Sequence, residues 1–132
     1  MPEFWEEAFI DKQEMWGMNP AKSALSTTDF FTEKSIQNIL IPGIGYGRNA
    51  QPFLAAGMTI TGIEISETAI GLAHQHFGTA MTIYHGSVTD MPFDDQKYEG
   101  IFCHALLHLL DKQHRAKLIE DCYRQLTEGG VM

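Results

Sequence analysis

The sequence predicts an α/β fold in which helices cover both faces of a mainly parallel sheet, and three observations lead to this prediction. Short apolar runs alternate with segments of helical periodicity along the chain. The first run, Ile39–Ile41, leads into a turn that begins at Gly43 and repeats glycine at every second position to Gly47. Glu64 then follows Gly43 at the interval of roughly 20 residues that is typical of one βαβ unit. Elements in this order imply right-handed crossovers and therefore a Rossmann-like three-layer sandwich.

The chain opens with apolar residues at helical spacing. Phe4, Trp5 and Phe9 recur with the helical period among acidic residues, which indicates an amphipathic helix. A glycine and a proline break this pattern next to Trp16, and we consider that residue a candidate wall of a substrate pocket. A second short helix follows. Residues 1–34 are therefore interpreted as an N-terminal helical cap on a single domain that spans the chain.

The remaining residues, 35–132, are predicted to form the Rossmann-like core. Apolar and β-branched runs mark further strands after the glycine turn, and helical segments or loops separate them. Ser66 is predicted to cap the helix after the second strand, and Glu67 suits the positive end of that helix's dipole. The predicted ranges are 58–65, 81–85 and 100–104 for strands two to four, 111–126 for the last helix, and 129 onward for the entry to a fifth strand.

Polar groups follow three of the predicted strands at one edge of the sheet. Open parallel sheets bind ligands at the carboxyl ends of their strands. Backbone N–H groups of the glycine turn can meet a carboxylate or phosphate, and Glu64 can accept hydrogen bonds from both hydroxyls of a ribose. The loop after the third strand supplies candidates for a base: Ser87 or Asp90 for an exocyclic amine, and Val88 and Met91 for the two faces of the ring. These groups together predict a pocket for a nucleoside-type ligand.

Composition and charge argue against several other classes of protein. The 132 residues, 44% hydrophobic and 20% charged, suit one globular domain. Nine basic against 17 acidic residues give a net charge of -8, which disfavours nucleic acid as a direct partner. The two cysteines lack the spacing of a zinc site or a disulfide framework. No stretch resembles a signal peptide or reaches membrane-spanning length, so we expect a cytoplasmic protein without a membrane partner.

Four stretches resemble the successive motifs of class I S-adenosylmethionine-dependent methyltransferases, namely residues 39–49, 61–66, 85–93 and 98–104. The resemblance covers residues 36 to 132. Pro42 before the glycines, together with Phe4-Trp5 and Trp16-Gly17 upstream, is similar to the branch that includes thiopurine and thiol methyltransferases. The resemblance implies an enzyme that transfers a methyl group from S-adenosylmethionine to a small-molecule acceptor.

The resemblance also implies which residues meet the cofactor. The glycine turn would face its methionine part, Glu64 would hold the ribose, and Ser87 and Val88 with Asp90 would contact the adenine. The residues implied for the cofactor are Pro42, Gly43, Gly45, Tyr46, Arg48, Asn49, Glu64, Ile65, Ser87, Val88, Asp90 and His104. Those implied for the acceptor pocket are Trp16, Tyr46 and His108.

His104 is the candidate catalytic residue. The resemblance places it at the end of the fourth strand, near the sulfonium and the acceptor, where it could act as a general base. His108 one helical turn later and Tyr46 beside the glycine turn are the next candidates. His104 and His108 could in principle share a metal, but no third ligand is placed near them and methyl transfer needs none, so we expect no metal.

Two departures from the family pattern affect these expectations. Pro42 stands where many members carry an acidic residue, so a water network built on that carboxylate is not expected. The family sheet has seven strands, whereas this chain is predicted to stop at the start of the fifth. Strand four would then have an almost bare edge, which invites pairing with another chain. We therefore expect either a truncated piece that lacks the C-terminal strands or a homo-oligomer that covers the edge.

Two further readings of the same residues stay open. Glu64 would serve the ribose of NAD equally well, although the third glycine, Gly47, comes one place too early for the dinucleotide-binding pattern of an oxidoreductase. The second alternative is a non-catalytic module for S-adenosylmethionine binding or oligomerisation.

Overall fold

The structure, a computed structural model, describes residues 6–7 and 17–132. Phe4, Trp5, Phe9 and Trp16, on which part of the predicted N-terminal cap rests, lie outside the described residues. The helices are α1 (Lys22–Glu33), α2 (Gln51–Ala55), α3 (Glu67–Phe77) and α4 (Lys112–Gln125), with short 3-10 helices at Val88–Asp90 and Leu107–Leu109. The strands are β1 (Asn38–Pro42), β2 (Thr59–Glu64), β3 (Thr82–His85), β4 (Tyr98–Ile101) and β5 (Leu126–Val131).

The five strands form one parallel sheet in the order β3-β2-β1-β4-β5. β1 lies at the centre, where Ile39 pairs with Ile60 of β2 on one side and with Gly100 of β4 on the other. The reversal of strand order beside β1 creates the crevice in which such sheets bind ligands. The predicted α/β class and Rossmann-like three-layer architecture are confirmed.

The apolar residues of the sheet alternate between two cores, one on each face. Ile39 and Ile41 point into one core, whereas Leu40 between them points into the other. The first core includes the aromatic rings of Phe31 on α1, Phe53 on α2 and Phe102 just after β4. The ring centroids of Phe31 and Phe53 are 5.7 Å apart. The second core includes buried residues of α4. Because both faces are covered by helices, the central strand β1 needs to be apolar on both sides, and its residues from Ile39 to Pro42 are all buried.

Capping side chains begin the two longer helices of the core. The hydroxyl of Ser66 accepts the N–H of Ala69 at 3.1 Å, so the predicted cap of α3 is confirmed. Asp111 caps α4 in the same way by accepting the N–H of His114 at 2.8 Å. Both helices therefore start close to the carboxyl ends of the strands that precede them.

The fourth strand lies earlier in the chain than predicted, at Tyr98–Ile101 rather than 100–104. Its pairing with β1 ends where Leu40 meets Ile101, and the chain then turns away through Ala105, whose φ of 54° lies in the left-handed region. The phenol of Tyr98 donates to Asp94 at 2.7 Å, which allows this polar residue to be buried in a strand. The apolar run Ile101–Cys103 therefore ends the strand instead of forming its centre.

The expected bare edge of strand four is also wrong. β5 begins at Leu126, directly after α4, and not at Gly129. It pairs with β4 through Tyr98 opposite Leu126 and Gly100 opposite Val131, with an irregular register between the two pairs. The strand edges of this sheet therefore belong to β3 and β5. Within the part of the chain that the structure describes, no helix is long and apolar enough to cross a membrane.

Candidate functional site

A cavity of about 800 Å³ lies at the carboxyl ends of β1, β2, β3 and β4. Most of the residues that the sequence nominated for a ligand line it: Gly43, Gly45, Tyr46, Arg48, Asn49, Glu64, Ile65, Ser87, Val88, Asp90 and His104. A parallel sheet brings these residues together because every strand ends at the same edge. A cavity of this size can hold a nucleoside with a second small molecule.

Two nominated residues lie outside the lining of this cavity, and a third cannot be placed. Pro42 is fully buried as the last residue of β1, beyond the positions at which β1 pairs with β4. Proline lacks a backbone N–H, and at this position the lack removes no hydrogen bond between β1 and β4. His108 is exposed, and Trp16 lies outside the described residues. The assignments of Pro42 and His108 to a binding surface are not supported by their positions.

The glycine turn folds back onto β2. Gly43 and Gly45 have φ values of 68° and 63°, a region that glycine adopts without strain. The N–H groups of Gly43 and Ile44 both donate to the carbonyl of Ile63, at 2.8 and 3.1 Å. The N–H of Gly45 donates to the Glu64 carboxylate at 2.9 Å. The expectation that these N–H groups cradle an anion is therefore wrong at these positions, because all of them donate within the protein.

Glu64 lies at the end of β2 and is 6% exposed. One carboxylate oxygen accepts the N–H of Gly45, and the other accepts the N–H of Ser66 at 3.0 Å. Burial raises the pKa of the Glu64 carboxyl, although the hydrogen bonds from Ser66 and Gly45 oppose the shift. Each oxygen of a carboxylate can accept a further hydrogen bond. Glu64 is therefore a fixed, acceptor-only group at the cavity wall.

Three side chains of the turn hold the segment 17–21 against it. Tyr46, Arg48 and Asn49 each form a hydrogen bond with the main chain of this segment. The bonds run from the Tyr46 hydroxyl to the Gly17 carbonyl (2.7 Å), from Arg48 Nη1 to the Asn19 carbonyl (3.1 Å), and from the Ala21 N–H to Asn49 Oδ1 (2.8 Å). The Tyr46 hydroxyl donates its proton to a carbonyl and the residue is 2% exposed, so the geometry does not favour Tyr46 as a general base.

The loop after β3 presents three residues to the cavity. Ser87 caps the short 3-10 helix by accepting the N–H of Thr89 at 3.1 Å, and Val88 and Asp90 follow it along the wall. Met91 is 3% exposed and packs in the core beneath the loop, outside the cavity lining. The expected sandwich of a ring between Val88 and Met91 is therefore wrong for Met91, because the 3-10 turn directs its side chain inward.

His104 lies just past the end of β4, in the loop rather than in the strand. Its Nδ1 is 3.1 Å from the hydroxyl of Ser23 on α1, and its ring stacks on Phe102 with centroids 5.9 Å apart. Ala105 follows with its left-handed φ, so His104 and His108 do not form the helical i, i+4 pair that their spacing predicted. His104 alone of the two lines the cavity.

The sequence analysis missed the wall formed by the loop after β4 and the first turn of α4. Leu106, Leu109 and Leu110 supply its apolar part, and Asp111 and His114 its polar part. The Nδ1 of His114 lies 2.9 Å from the Asp111 carboxylate. The hydrogen bond from the His114 backbone N–H is the largest cause that lowers the pKa of the Asp111 carboxyl. An aspartate at the start of a helix, three residues before a histidine, was a signal that could have identified this pair.

The charged groups on the cavity wall are mainly acidic. Glu64, Asp90 and Asp111 line it, and Arg48 contributes the opposite charge while it also binds the Asn19 carbonyl. The chain as a whole carries a net charge of -8. Such a cavity favours a cationic ligand over an anionic one. Across the described residues, no three His, Cys, Asp or Glu side chains are grouped so as to hold a metal ion.

Comparison with known proteins identifies a family and a set of similar folds. A family model described as a methyltransferase domain matches residues 39–130. Comparison with curated protein sequences finds no match. Among solved structures, the magnesium protoporphyrin IX methyltransferase ChlM from Synechocystis PCC 6803, with bound SAM, superposes with a TM-score of 0.75 at 16% identity, over 95% of this chain and 71% of ChlM.

Two further structures show the same likeness. The methyltransferase CcbJ from Streptomyces caelestis superposes with a TM-score of 0.74 at 21% identity, over 85% of this chain and 49% of CcbJ. The glycopeptide N-methyltransferase MtfA, complexed with sinefungin, gives 0.73 at 20% identity, over 85% of this chain and 47% of MtfA. The chain thus spans about half the length of CcbJ and MtfA, and at these identities the likeness concerns the fold.

Proposed function

Because this chain belongs to the methyltransferase domain family, we propose that it binds S-adenosylmethionine in the cavity described above and transfers its methyl group to a small-molecule acceptor. The observation that carries the proposal is the position of the Glu64 carboxylate. This buried carboxylate ends β2, is bonded to the glycine turn through the Gly45 N–H, and lines the cavity. A ribose needs an acceptor for two neighbouring hydroxyls, and Glu64 offers one whose position is fixed by two backbone bonds.

The adenine would lie on the wall formed after β3. Val88 supplies an apolar surface there, and Asp90 supplies an acceptor for the exocyclic amine. Ser87 already bonds Thr89, so its hydroxyl serves mainly to shape the loop. Of the two candidates for the exocyclic amine, Ser87 and Asp90, this arrangement favours Asp90.

The methionine part and the sulfonium would lie between the glycine turn and the loop after β4. Because the turn uses the N–H groups of Gly43, Ile44 and Gly45 internally, recognition there depends on close approach to Cβ-free backbone and on the field of the acidic wall. An acidic lining favours the positively charged methyl donor over its neutral thioether product. The same electrostatics would assist product release after transfer.

When bound, S-adenosylmethionine supplies an electrophilic methyl group, so the protein's main contribution is alignment of the acceptor. The apolar loop residues Leu106, Leu109 and Leu110 suit an acceptor with an apolar body. The sequence likeness to thiopurine and thiol methyltransferases makes thiols the first compounds to include among trial acceptors.

The proposal is tested by isothermal titration calorimetry with S-adenosylhomocysteine, the product of methyl transfer, and in parallel with NADH. We expect saturable binding of S-adenosylhomocysteine and no heat of binding with NADH. Tight NADH binding without a response to S-adenosylhomocysteine would overturn the proposal in favour of an oxidoreductase. Binding of S-adenosylhomocysteine without turnover on any trial acceptor would restrict this chain to the role of a binding module.

A further inference from the structure

We propose that the Asp111–His114 pair is the acid–base group of this site, with His114 as the residue that takes a proton from the methyl acceptor and Asp111 as the residue that orients it. The inference rests on the proposed function and deepens it, because it concerns the chemical class of the acceptor. It also differs from the sequence expectation, which gave the catalytic role to His104.

The hydrogen bonds of the pair determine which ring nitrogen of His114 is able to accept a proton. Asp111 uses one carboxylate oxygen for the His114 backbone N–H at 2.8 Å and the other for Nδ1 of the His114 ring at 2.9 Å. A carboxylate can only accept hydrogen bonds, so the proton between the two side chains belongs to Nδ1. The lone pair of the neutral ring is then on Nε2, and no hydrogen bond joins Nε2 to another of the residues that the structure describes.

The main chain of the pair is held by the fold, and the two side chains, 64% exposed for Asp111 and 48% for His114, are held by their hydrogen bond to each other. Asp111 caps α4 and His114 lies in its first turn, and the buried side chains of this helix of 14 residues include Leu118 and Cys122. Arg115 Nη1 also donates to the carbonyl of Leu110 at 2.7 Å, which restrains the main chain immediately before Asp111. A proton acceptor works best when its own orientation needs no adjustment during the reaction.

His104 is less well equipped for the same task. Its Nδ1 faces the hydroxyl of Ser23, which is neutral, whereas Nδ1 of His114 faces a carboxylate. A carboxylate stabilises the imidazolium that forms when the ring takes a proton, and a hydroxyl does so far less. Both histidine rings line the cavity, so both can reach an acceptor bound there. What distinguishes His114 from His104 as a base is the hydrogen-bond partner of its Nδ1.

Several other charged groups face the same space and bear on any pH dependence. Glu64, Asp90 and Arg48 line the cavity from the β2, β3 and β1 ends. On α4 itself, Arg115 bonds the Leu110 carbonyl, and the Lys117 amine donates to Asp121 at 2.7 Å and to the Met91 carbonyl at 3.0 Å. Arg115 and Lys117 are thus engaged elsewhere, whereas Lys112, in the first turn of α4 beside the pair, is exposed and lies outside the cavity lining. Among the charged groups that line the cavity, carboxylates are the more numerous.

Methyl transfer and proton transfer occur at two different atoms of the site. The nucleophilic atom of the acceptor forms its bond to the methyl carbon as the carbon–sulfur bond breaks, and the bonding pair stays on sulfur. The proton of the acceptor passes to Nε2 of His114, which later releases it to solvent. Such a base serves an acceptor whose nucleophile carries a proton at neutral pH, namely an amine, a hydroxyl or a thiol, and gives no advantage with a carboxylate.

The tautomer of His114 provides a test that does not need turnover. Nitrogen-15 correlation spectra of the full chain, compared with His114→Gln for assignment, should show Nδ1 protonated and Nε2 unprotonated in the neutral ring. Asp111→Asn keeps a good helix cap but removes the charge, and it should weaken this preference. An unprotonated Nδ1 in the parent protein would overturn the proposal.

Turnover provides the second test, with radiolabelled S-adenosylmethionine and four acceptors: benzylamine, phenol, 2-mercaptoethanol and benzoate. We expect His114→Ala to lower kcat on protic acceptors about 100-fold, with the affinity for S-adenosylhomocysteine unchanged and with partial rescue by added imidazole. Gln113→Ala, on the same helical turn but outside the cavity lining, is the matched control and should match the parent.

The outcomes separate this proposal from the function on which it rests. Activity of His114→Ala within twofold of the parent on the protic acceptors, or methylation of benzoate alone, would overturn the role of the pair. Failure to bind S-adenosylhomocysteine, or binding without turnover on all four compounds, would overturn the proposed methyl transfer while the Nδ1–H tautomer still supported the pair as an oriented base.

Discussion

Replacement of Glu64 by glutamine should lower both the stability of the fold and its affinity for the cofactor. The carboxylate accepts two backbone N–H groups, those of Gly45 and Ser66, at 2.9 and 3.0 Å. A glutamine has one accepting oxygen, so its amide NH₂ must face one of these two donors whichever way it is turned. One part-buried N–H then loses its partner, which costs about 1–3 kcal/mol of the free energy of unfolding.

The loss in binding follows from the same geometry. The carboxylate would give charge-assisted bonds to two ribose hydroxyls, and glutamine offers a single neutral acceptor. We expect binding of S-adenosylhomocysteine to weaken by about 1–3 kcal/mol, which is roughly a 5- to 150-fold increase in Kd. Calorimetry measures this directly, and urea denaturation with and without ligand separates it from the loss of stability.

The pH dependence gives a further check on the same residue. Burial raises the folded pKa of Glu64 above its ordinary value of 4.5, so the carboxyl takes up a proton more readily in the folded than in the unfolded chain. A protonated carboxyl keeps a lone pair on each oxygen and can still accept both backbone N–H groups, which the glutamine amide cannot. Stability from this group is therefore fully present below the ordinary pKa and is lost as pH rises through the folded pKa. Ribose hydroxyls bind the ionised form, so affinity should move in the opposite direction and fall as pH is lowered through the raised pKa. Glu64→Gln should abolish both dependences.

Glu67→Gln is the control, because Glu67 is exposed and lies outside the cavity lining. It should leave the Kd for S-adenosylhomocysteine unchanged. A folded Glu64→Gln protein with the Kd of the parent would refute the assignment of the ribose to this carboxylate. A variant with unchanged stability would instead show that the two backbone N–H groups find other acceptors.

Two other substitutions test how the turn and the N-terminal segment are held. Gly47→Ala should lower the free energy of unfolding by about 1–3 kcal/mol, because its φ is 94° and a Cβ would lie 2.7 Å from the Phe77 ring. Gly57→Ala has a similar φ of 88° with nothing within 4 Å, so equal losses in urea denaturation would contradict the role of Phe77. The Glu6 carboxylate accepts hydrogen bonds from the hydroxyls of Ser66 and Thr68 and from the Thr68 N–H, at the start of α3. Glu6→Ala removes these bonds and should lower the free energy of unfolding by about 1 kcal/mol. Glu7 is exposed, so Glu7→Ala should lower the free energy of unfolding by less. A larger loss for Glu7→Ala than for Glu6→Ala would count against the contact of Glu6 with α3.

The cofactor side of the site follows from the sequence because it depends on where strands end. Glycines after β1, an acidic residue at the end of β2 and a polar loop after β3 must meet at one edge of a parallel sheet. The structure accordingly brings Gly43, Glu64 and Asp90 to the wall of one cavity. Only a common direction of the strands is needed for that result, and it follows from the alternation of strands and helices.

Side-chain directions near the turn could not be obtained in this way. The family resemblance implied Tyr46, Arg48 and Asn49 for the ligand. Their side chains instead bond the main chain of residues 17–21, across separations of 28 or 29 positions in the sequence. Such bonds depend on where residues 17–21 pass over the glycine turn. The sequence pattern around either segment does not indicate that position.

The boundary of β4 was misplaced for a related reason. An apolar run such as Ile101–Cys103 has no feature that separates the end of a strand from the loop beyond it. The end is set by pairing with β1, which stops at Ile101, and by the left-handed Ala105. His104 therefore lies in a loop instead of at the predicted strand end, and it contacts Ser23 there.

The sequence by itself determined the order and type of the elements, the parallel sheet, the Ser66 cap of α3 and the edge of the sheet that the cavity occupies. These features depend on periodicity, on glycine and on capping residues, all of which act within a few neighbours along the chain. Only the tertiary structure decided which side chains share the cavity. Packing of α4 through Leu118 and Cys122 against the sheet is what turns Asp111 and His114 toward the carboxyl ends of the strands. His114 lies one helical turn before Leu118 on the same side of the helix, so burial of that side also fixes the direction of His114, which is a property of the assembled core rather than of any segment within it.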